Sequence, residues 1–426
     1  MKVTVSPGGR GGTIAAIPSK SQAHRLLICA ALADRPTRLL SMGDSKDITA
    51  TMDCLSALGA AFHREGDQVT VIPLDRDRLP AACNLPCGES GSTLRFLLPV
   101  VCALGVEGTF QLEGRLPQRP LAPLDQALLD HGALLDRPAP RLLRVRGQLK
   151  PGAYAMPGNI SSQYVSGLLF ALPLLEGKSV LTVTGHVESA DYIAMTLRAA
   201  GAFGMTPLRT GWTFTIPGPL PCRSPGELSV EGDWSNAAFW LCAGALPGGE
   251  ITVTGLDAHS LQGDQQIWDL LARMGARCQR TAAGFTVREG ERRAIEIDAA
   301  PIPDLIPALA AMAAVSRGTT VVTNAGRLRL KESDRLAAVA QTLNALGANI
   351  TETKEGLMIQ GVQQLSGGRV DAWGDHRIAM MAAVAAAACK GKVTITGAQA
   401  VQKSYPRFWD DLETLGDKIE REEETP

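Results

Sequence analysis

Four cationic side chains lie where a helix would ordinarily exclude them. Lys20 and Arg25 fall in the opening turns of one predicted helix, and Arg95 and Arg377 fall in the opening turns of two others. A cation in the first turn opposes the helix dipole, so its repeated use there needs a compensating charge. Backbone N–H groups, hydroxyls and guanidinium groups together are what a phosphate or a carboxylate requires. The pattern therefore predicts an anion-binding site at these helix starts.

Further cations occur in the loops before a second set of predicted helices, namely Arg119, Lys331, Arg335 and Lys403. Taken alone, the run from Lys331 to Arg335 is typical of a solvated helix start with internal ion pairs. The formal net charge of the chain is only −1. Eight such cations therefore indicate a locally concentrated field and not a nucleic-acid surface. We interpret them as a pocket for two small polyanionic substrates, with no nucleic-acid partner.

The elements that must position these residues repeat along the chain. A phrase of the type Leu-x-x-x-Gly-Ala recurs with its glycine every 69–74 residues, which indicates one supersecondary unit in six copies. Each copy is predicted to close an amphipathic helix, with its glycine in a left-handed cap. Valine or isoleucine alternating with threonine upstream predicts half-buried strands. The copies span residues 55–60, 128–133, 197–202, 271–276, 343–348 and a divergent 412–417.

Each repeat also contains a helix that is apolar on nearly all sides, which predicts burial in the middle of a domain. The starts of these helices lie 70–73 residues apart and are surrounded by polar residues in every copy. N-capping is the simpler interpretation for Asp233, Ser235 and Asn236, but it does not account for the cations. The six predicted buried helices span 21–32, 92–104, 162–175, 235–245, 304–315 and 376–389.

The chain is too long for a single core, so we expect two domains of three repeats, each repeat with two helices and about four strands. The break is predicted near 226–232. The nine cysteines form neither a disulfide framework nor a zinc pattern, which suggests a reducing compartment. Residues 1–10 contain no apolar stretch, so we expect no secretory signal, and the longest apolar run, 378–389, is too short to cross a bilayer. We expect a cytoplasmic monomer with no membrane partner, metal or organic cofactor.

An ordered set of motifs resembles the 5-enolpyruvylshikimate-3-phosphate synthase family along essentially the whole chain. Any one of these motifs alone would be weak, but the ordered set at these spacings is specific. The motifs are Pro18-Ser19-Lys20-Ser21 with Arg25, Gly91 with Arg95, Arg119, Ser161-Ser162-Gln163, Asp304, Leu330-Lys331-Glu332-Ser333-Asp334-Arg335, Asp375-His376-Arg377 and Lys403.

The resemblance implies an α/β fold with two lobes, each of three βαβαββ units around buried helices, the inside-out α/β barrel of enolpyruvyl transferases. It implies a first lobe of residues 14–229 and a second lobe of 1–13 with 230–426, with the active site in the cleft between them. The implied reaction transfers the enolpyruvyl group of phosphoenolpyruvate to the 5-hydroxyl of shikimate 3-phosphate and releases phosphate. This addition–elimination reaction belongs to the chorismate route to aromatic amino acids.

The resemblance also implies the roles of individual residues. Asp304, Glu332, Lys20 and His376 are the implied catalytic residues: base, acid, proton-transfer aid and orienting group. The implied contacts to shikimate 3-phosphate come from Lys20, Ser21, Arg25, Ser161, Ser162, Gln163, Ser189, Asp304 and Lys331. The implied contacts to phosphoenolpyruvate come from Lys20, Gly91, Arg95, Arg119, Gln163, Arg335, Arg377 and Lys403.

Three of the catalytic assignments have structural alternatives. Glu332 could serve as an ion-pair partner of Arg335, Asp304 as a helix cap, and His376 as a satisfied core histidine. Neighbouring cations should also lower the pKa of Glu332, which works against an acid, although bound phosphoenolpyruvate would partly offset them.

The chain departs from the family at two places. Glu89-Ser90-Gly91-Ser92 replaces the usual Asn-Ala-Gly-Thr, and Arg327 replaces a common asparagine, so the contact of that asparagine is not carried over. Gly91 still permits close backbone approach.

Two other functions are compatible with the same repeated scaffold. The related transferase acting on UDP-N-acetylglucosamine usually has asparagine after the first-helix lysine and a reactive cysteine before the Arg119 position. Here Ser21 follows Lys20, and no cysteine lies between Cys102 and Cys222. A non-enzymatic sensor of phosphorylated metabolites is disfavoured by the intact set of acid, base and lysine.

Overall fold

The computed structural model describes residues 1–423, and its strands form six four-stranded sheets within that range. The strands are short and their buried positions alternate, as the valine–threonine pattern predicted. They are β1 Lys2–Val5, β2 Gly11–Ala15, β3 Thr37–Leu40, β4 Ala61–Glu65, β5 Gln68–Ile72, β6 Ala82–Gly88, β7 Glu107–Leu112, β8 Ala133–Ala139, β9 Leu142–Gly147, β10 Ala153–Pro157, β11 Ser179–Thr184, β12 Leu208–Thr210, β13 Thr213–Ile216, β14 Glu227–Ser229, β15 Glu250–Thr254, β16 Arg277–Thr281, β17 Gly284–Arg288, β18 Glu296–Asp298, β19 Thr319–Thr323, β20 Asn349–Thr353, β21 Gly356–Gln360, β22 Gly368–Asp371, β23 Val393–Thr396 and β24 Ile419–Glu422.

Helices alternate with the strands in two kinds, as the sequence predicted. One kind is buried almost throughout, and the other has one apolar face. The buried helices are α1 Lys20–Ala31, α3 Gly91–Leu104, α5 Ser162–Ala171, α7 Trp234–Ala245, α9 Ile306–Ala313 and α11 His376–Ala385. The half-exposed helices are α2 Lys46–Ala57, α4 Leu124–Asp130, α6 Ala190–Ala202, α8 Ile267–Arg273, α10 Arg335–Ala345 and α12 Phe408–Thr414.

All six sheets share one strand pattern. In the sheet β6-β7-β9-β8, the first two strands are parallel, with Leu85 beside Phe110, and the remaining pairs are antiparallel, with Phe110 opposite Leu143. In four sheets the two parallel strands are joined through a buried helix, namely α3, α5, α9 and α11, since parallel neighbours need a crossover connection. In the other two sheets the parallel partner, β14 or β2, comes from a distant part of the chain. The βαβαββ repeat is thereby confirmed, and with it the predicted fold class.

Three sheets are completed by strands that are distant in the chain. β14 joins β3 of the first repeat, β2 joins β15, and β1 lies between β23 and β24. These pairings divide the chain into two compact units. The continuous unit is Pro18–Glu231, and the discontinuous unit is Met1–Ile17 with the chain from Gly232 onward. The predicted boundaries at 13/14 and 229/230 lie a few residues away, because β2 reaches Ala15.

Each unit contains a hydrophobic core of its own. In the continuous unit, Phe96 of α3 meets Phe170 of α5 edge to face at 5.7 Å between ring centroids. In the discontinuous unit, Trp240 of α7 stacks on Phe408 of α12 at 4.8 Å. Within residues 1–423, the helices are all too short or too polar to cross a membrane.

In five of the six repeated phrases the glycine has a positive φ just after the helix, as predicted. Gly59, for example, has φ of 109° directly after the C-cap of α2, a conformation that a side chain would strain. The third copy differs, since α6 continues through Gly201 and the positive φ of 84° falls at Gly204. The prediction of a left-handed cap at Gly201 was therefore wrong. The helix ends at Ala202, the buried Phe203 is its C-cap, and the residue with positive φ lies three positions after Gly201.

Candidate active site

The start of α1 carries the first predicted site residues of the continuous unit. Ser19 caps the helix by accepting the N–H of Gln22, which leaves Lys20 and Ser21 in the first turn. Lys20 Nζ donates to Asp47 Oδ2 at 2.8 Å, and both side chains are mostly buried. Asp47 lies in the first turn of α2, where a carboxylate is favoured by the helix dipole. Lys20 is thus held extended from the helix by a carboxylate that the sequence analysis did not single out.

Arg25, one turn further along α1, is 2% exposed and has neutral partners. Its Nε donates to Thr196 Oγ1 at 2.8 Å, Nη1 to the Ser21 carbonyl at 2.6 Å, and Nη2 to the Tyr192 carbonyl at 2.9 Å. The guanidinium also lies 5.0 Å from the Phe96 ring centroid. Burial lowers the pKa of Arg25 to about 10. A buried guanidinium without a carboxylate is costly, which indicates that an anion belongs beside it.

The start of α3 brings two further arginines together around Gly91. A β-carbon on Gly91 would lie 2.7 Å from Nη1 of Arg119 and 3.1 Å from Nη1 of Arg95, so both guanidinium groups occupy the space that glycine leaves. Arg95 Nη1 also donates to Gln163 Oε1 at 2.8 Å, and Gln163 Nε2 donates to Ser92 Oγ at 2.9 Å. Two converging guanidinium groups at a helix start form a strong anion-binding arrangement.

The remaining predicted residues of the continuous unit lie at the starts of α5 and α6. Ser161 caps α5 by accepting the N–H of Gln163 at 3.3 Å, and Ser162 is buried in the first turn. Ser189 precedes α6 in the left-handed region, with φ of 52°, and its side chain does not cap the helix. A non-glycine residue rarely adopts this conformation, and such residues cluster at functional sites.

In the discontinuous unit, Asp304 is the centre of a group of three cations. It lies in a 3₁₀ turn, Pro303–Leu305, immediately before α9. Its Oδ1 accepts from Arg335 Nη1 at 2.7 Å and from Lys331 Nζ at 3.3 Å, and its Oδ2 lies 3.5 Å from Arg377 Nη2. The alternative reading of Asp304 as a helix cap was wrong, because α9 has no side-chain cap and the carboxylate pairs with cations instead.

A second carboxylate, Asp375, connects three elements of the same unit. It caps α11 by accepting the N–H of Arg377 at 3.0 Å, and its Oδ2 accepts from Arg335 Nε at 2.8 Å and from Ser333 Oγ at 3.0 Å. Arg335 donates at the same time from Nη2 to Glu332 Oε2 at 2.6 Å. Asp375 is fully buried, so it holds the loop that carries Glu332 against the start of α11.

Three other side chains complete this group. Arg377 Nη2 hydrogen-bonds Ser235 Oγ at the start of α7, where Asp233, and not Ser235, is the cap. Capping is therefore confirmed for Asp233 but wrong for Ser235 and Asn236, which lie within α7. His376 is 2% exposed beside Asp375, and Lys403 Nζ donates to the Gly374 carbonyl at 2.8 Å.

The charges set the protonation states of the group. Burial alone would raise the pKa of Asp304, but Arg377, Lys331 and Arg335 outweigh it and hold that pKa well below its usual range. The pKa of Asp375 is lowered in the same way, chiefly by Arg335 against the effect of burial. Burial and the nearby Arg335 lower the pKa of Lys331, and the Asp304 carboxylate partly offsets this decrease. Asp304 and Asp375 are therefore ionised at neutral pH.

Each unit thus brings its own share of the predicted residues together. Within the continuous unit these are Lys20, Ser21, Arg25, Gly91, Arg95, Arg119, Ser161, Ser162, Gln163 and Ser189. Within the discontinuous unit they are Asp304, Lys331, Glu332, Arg335, His376, Arg377 and Lys403. Four further residues of the two groups were not predicted as site residues: Asp47, Ser235, Ser333 and Asp375. Ser333 and Asp375 stand in quoted motifs, whereas Ser235 was interpreted as a cap and Asp47 resembles an ordinary helix start.

The chain is similar to known proteins over nearly its whole length. A family model described as EPSP synthase (3-phosphoshikimate 1-carboxyvinyltransferase) matches residues 7–412. The chain is 40% identical over 422 residues to the 3-phosphoshikimate 1-carboxyvinyltransferase of Clostridium acetobutylicum, covering 98% of each chain. It is 41% identical over 430 residues to the protein of that name from Clostridium beijerinckii, covering 97% of each. It also matches a solved structure of EPSP synthase from Acinetobacter baumannii, with a TM-score of 0.79, 25% identity, and coverage of 99% and 100%.

Proposed function

The chain belongs to the EPSP synthase family, and from this premise we propose that it is a 3-phosphoshikimate 1-carboxyvinyltransferase. It transfers the enolpyruvyl group of phosphoenolpyruvate to the 5-hydroxyl of shikimate 3-phosphate and releases phosphate. The proposal depends on the environment of Arg25. Its guanidinium is buried, and within residues 1–423 its hydrogen-bond partners are all neutral. Its described bonds leave one N–H on Nη1 and one on Nη2, and a guanidinium can use such a pair to bind a carboxylate or a phosphate.

The shikimate 3-phosphate side of the proposed site begins at Arg25. The other proposed contacts of this unit lie at the starts of α1, α5 and α6, where N–H groups favour an anion, and they are Ser21, Ser161, Ser162, Gln163 and Ser189. The remaining proposed contacts to shikimate 3-phosphate, at its hydroxylated ring, are Lys20, Asp304 and Lys331. The hydrogen bonds that join α1, α5 and α6 through Arg25, Thr196 and Ser166 support this assignment.

The phosphoenolpyruvate side of the proposed site uses the arginines. Arg95 and Arg119 converge at Gly91 with Gln163, and Lys20 extends from α1. Arg335, Arg377 and Lys403 are the proposed contacts from the discontinuous unit. That the two sets meet in a cleft between two lobes is part of the proposal, as are the monomeric state and the cytoplasmic location.

The proposed chemistry uses the two carboxylates in different roles. Asp304 accepts the proton of the 5-hydroxyl while that oxygen bonds to C2 of phosphoenolpyruvate, and Glu332 delivers a proton to C3. In the elimination, the C3 proton returns to Glu332, the bond from C2 to the phosphate oxygen breaks, and Lys20 protonates the departing phosphate. His376 is assigned to orienting the tetrahedral intermediate.

The low pKa of Asp304 bears on this mechanism, because a strongly stabilised carboxylate is a weak base. Bound substrates bring several negative charges towards Arg377, Lys331 and Arg335, the same cations that lower the pKa of Asp304. We expect competition for these cations to raise the pKa of Asp304 when the substrates bind. Substrate binding thereby prepares the base.

A phosphate-release assay tests the proposal. We expect phosphate from phosphoenolpyruvate only when shikimate 3-phosphate is present, and the Lys20→Met variant should lose most of the turnover. Release with UDP-N-acetylglucosamine instead would assign the chain to the related transferase. Binding of shikimate 3-phosphate without any release would indicate a metabolite sensor.

A further inference from the structure

Two buried hydroxyl groups lie directly behind Arg25. Thr196 of α6 and Ser166 of α5 are both fully buried, and their oxygens are 2.7 Å apart. Thr196 Oγ1 is the acceptor for Arg25 Nε at 2.8 Å. Neither residue is part of the proposed substrate contacts, and no role in the reaction has yet been given to either. Their place in the fold connects the cation of α1 to two neighbouring helices.

The protons of this group can be assigned by counting donors. Arg25 Nε can only donate, and the single hydroxyl proton of Thr196 is directed at the Tyr192 carbonyl, 3.0 Å away. Ser166 must therefore donate to Thr196, whose oxygen then accepts two bonds and donates one. The Tyr192 carbonyl also accepts from Arg25 Nη2 at 2.9 Å. Arg25 Nε and both hydroxyl oxygens are thus paired, and these bonds fix the orientation of the guanidinium.

The same hydroxyl pair connects the three helices that begin at the proposed contacts to shikimate 3-phosphate. Arg25 and Ser21 are on α1, Ser161 precedes α5 by one residue, and Ser189 precedes α6 by one residue. Ser166 and Thr196 lie about one to two turns further along their helices. Buried hydrogen bonds that are fully satisfied rigidify their surroundings and favour a single arrangement.

We propose that Thr196, held by Ser166, is a positioning residue that sets the affinity for the phosphorylated acceptor substrate by fixing Arg25. It does not touch the substrate. The proposal rests on the proposed function, in which Arg25 binds an anionic group of shikimate 3-phosphate. Without the Thr196 oxygen, Arg25 Nε loses its acceptor, and the guanidinium turns or pays for an unsatisfied donor.

The test compares three variants by steady-state phosphate release, with each substrate titrated in turn. Thr196→Val keeps the shape and removes the hydroxyl, and Thr196→Ser keeps the hydroxyl. Thr342→Val is the matched control, because Thr342 is a buried helix residue whose hydroxyl has no hydrogen-bond partner within residues 1–423. We expect Thr196→Val to raise the KM for shikimate 3-phosphate about tenfold or more, with the KM for phosphoenolpyruvate changed less than about twofold.

Thr196→Ser should recover most of the affinity, and Thr342→Val should match the wild type. A KM for shikimate 3-phosphate within about twofold of wild type in Thr196→Val would overturn the proposal. Equal increases in both KM values, or no recovery in Thr196→Ser, would also overturn it, because a merely structural role predicts those results. A wild-type protein that releases no phosphate contradicts the proposed function instead.

A measurement without substrate keeps the proposal testable in that case. Hydrogen exchange of the Arg25 Nε–H, followed by NMR of arginine labelled with ¹⁵N, reports directly on the bond to Thr196. We expect slow exchange in the wild type and in Thr196→Ser, and exchange at least about tenfold faster in Thr196→Val. Equal exchange rates in the wild type and Thr196→Val would show that Thr196 does not fix Arg25.

Discussion

Glu332 and Arg335 illustrate how much a single residue pair leaves open. The sequence allowed Glu332 to be either an acid or a partner of Arg335, and the structure contains the ion pair, with 2.6 Å between Oε2 and Nη2. The pair does not exclude the catalytic role, because Arg335 also bonds Asp304 and Asp375 and is already satisfied without Glu332. Glu332 is the member of the group whose removal leaves the others paired.

Glu332→Gln therefore separates the two roles. The amide keeps an oxygen for Arg335 but cannot deliver a proton to C3 of phosphoenolpyruvate. We expect kcat to fall by about 10²-fold or more, in the range of general acid catalysis, with KM values within about threefold of wild type. Phosphate release at saturating substrates gives the answer. A kcat near that of wild type would restrict Glu332 to the ion pair.

Gly91 permits a second residue-level prediction. In Gly91→Ala the added methyl group would clash with Nη1 of Arg119 at 2.7 Å and crowd Nη1 of Arg95 at 3.1 Å. Both guanidinium groups must move, so we expect the KM for phosphoenolpyruvate to rise about tenfold, equivalent to one weakened charge-assisted hydrogen bond.

Gly201→Ala is the control for this change. Gly201 also lies in a helix with negative φ, and the nearest atom to its β-carbon would be Thr206 Oγ1 at 3.5 Å, an ordinary contact. Its kinetics should match the wild type. Unchanged affinity for phosphoenolpyruvate in Gly91→Ala would mean that the two arginines do not bind it at this position.

At the scale of elements, the starts of α1, α2 and α3 are joined by one buried chain of hydrogen bonds. His24 Nδ1 lies 2.7 Å from Thr51 Oγ1, which lies 2.6 Å from Thr93 Oγ1, and Thr93 donates to Ser90 Oγ at 2.7 Å. Ser90 is the cap of α3, and Thr51 also reaches the Asp47 carbonyl. This series of hydrogen bonds therefore aligns the helix starts that carry Lys20 and Gly91.

The state of His24 makes this alignment dependent on pH. Burial, with Lys20 and Arg25 nearby, lowers the pKa of His24 well below 6.5. In the unfolded chain, His24 takes up a proton below about pH 6.5, whereas in the folded protein it stays neutral to a lower pH. The stability that is present above this pH is therefore lost as the pH falls towards the lower pKa of the folded state. We expect the midpoint of thermal unfolding to drop between pH 7.5 and pH 5.5.

His24→Gln should lose stability at pH 7.5 but show a smaller drop between the two pH values. His63→Gln, at an exposed position of β4, should keep the wild-type pH dependence. Thermal unfolding followed by circular dichroism at both pH values measures these differences. The same drop in His24→Gln as in the wild type would show that another group controls the acid response.

At the scale of the whole molecule, the chain makes one unit from a single segment and the other from two. Each of the three sheets in the continuous unit is complete within Pro18–Glu231, because β14 returns to pair with β3. The discontinuous unit needs both β1 and β2 from the N-terminal segment. The continuous unit therefore has what an independently folding domain requires.

A fragment of residues 18–231 should fold by itself and unfold cooperatively. It contains Arg25 and the other proposed shikimate 3-phosphate residues of this unit, so we expect it to bind that substrate weakly. It should release no phosphate, since Asp304 and Glu332 are absent. Calorimetry of the fragment tests this, with residues 18–224, which lack β14, as a less stable control. An unfolded 18–231 fragment would show that the unit depends on the rest of the chain.

The sequence by itself determined the repeat, the fold class and the positions of the cations. Periodic phrases and alternating residues reflect local rules of helices and strands, so six repeats with buried helices could be predicted from them. Lys20, Arg25, Arg95 and Arg377 could be recognised because a cation at a helix start contradicts a local rule.

Only the tertiary structure decided which partner each of these residues has. Asp47, Asp375 and Thr196 lie 27, 40 and 171 residues from Lys20, Arg335 and Arg25, respectively. Neither capping preference nor helical period carries information over such separations. The pairing of β14 with β3 and of β2 with β15 is equally non-local. Hydrogen bonds between distant segments form only once the repeats pack, and they determine how the predicted cations are held.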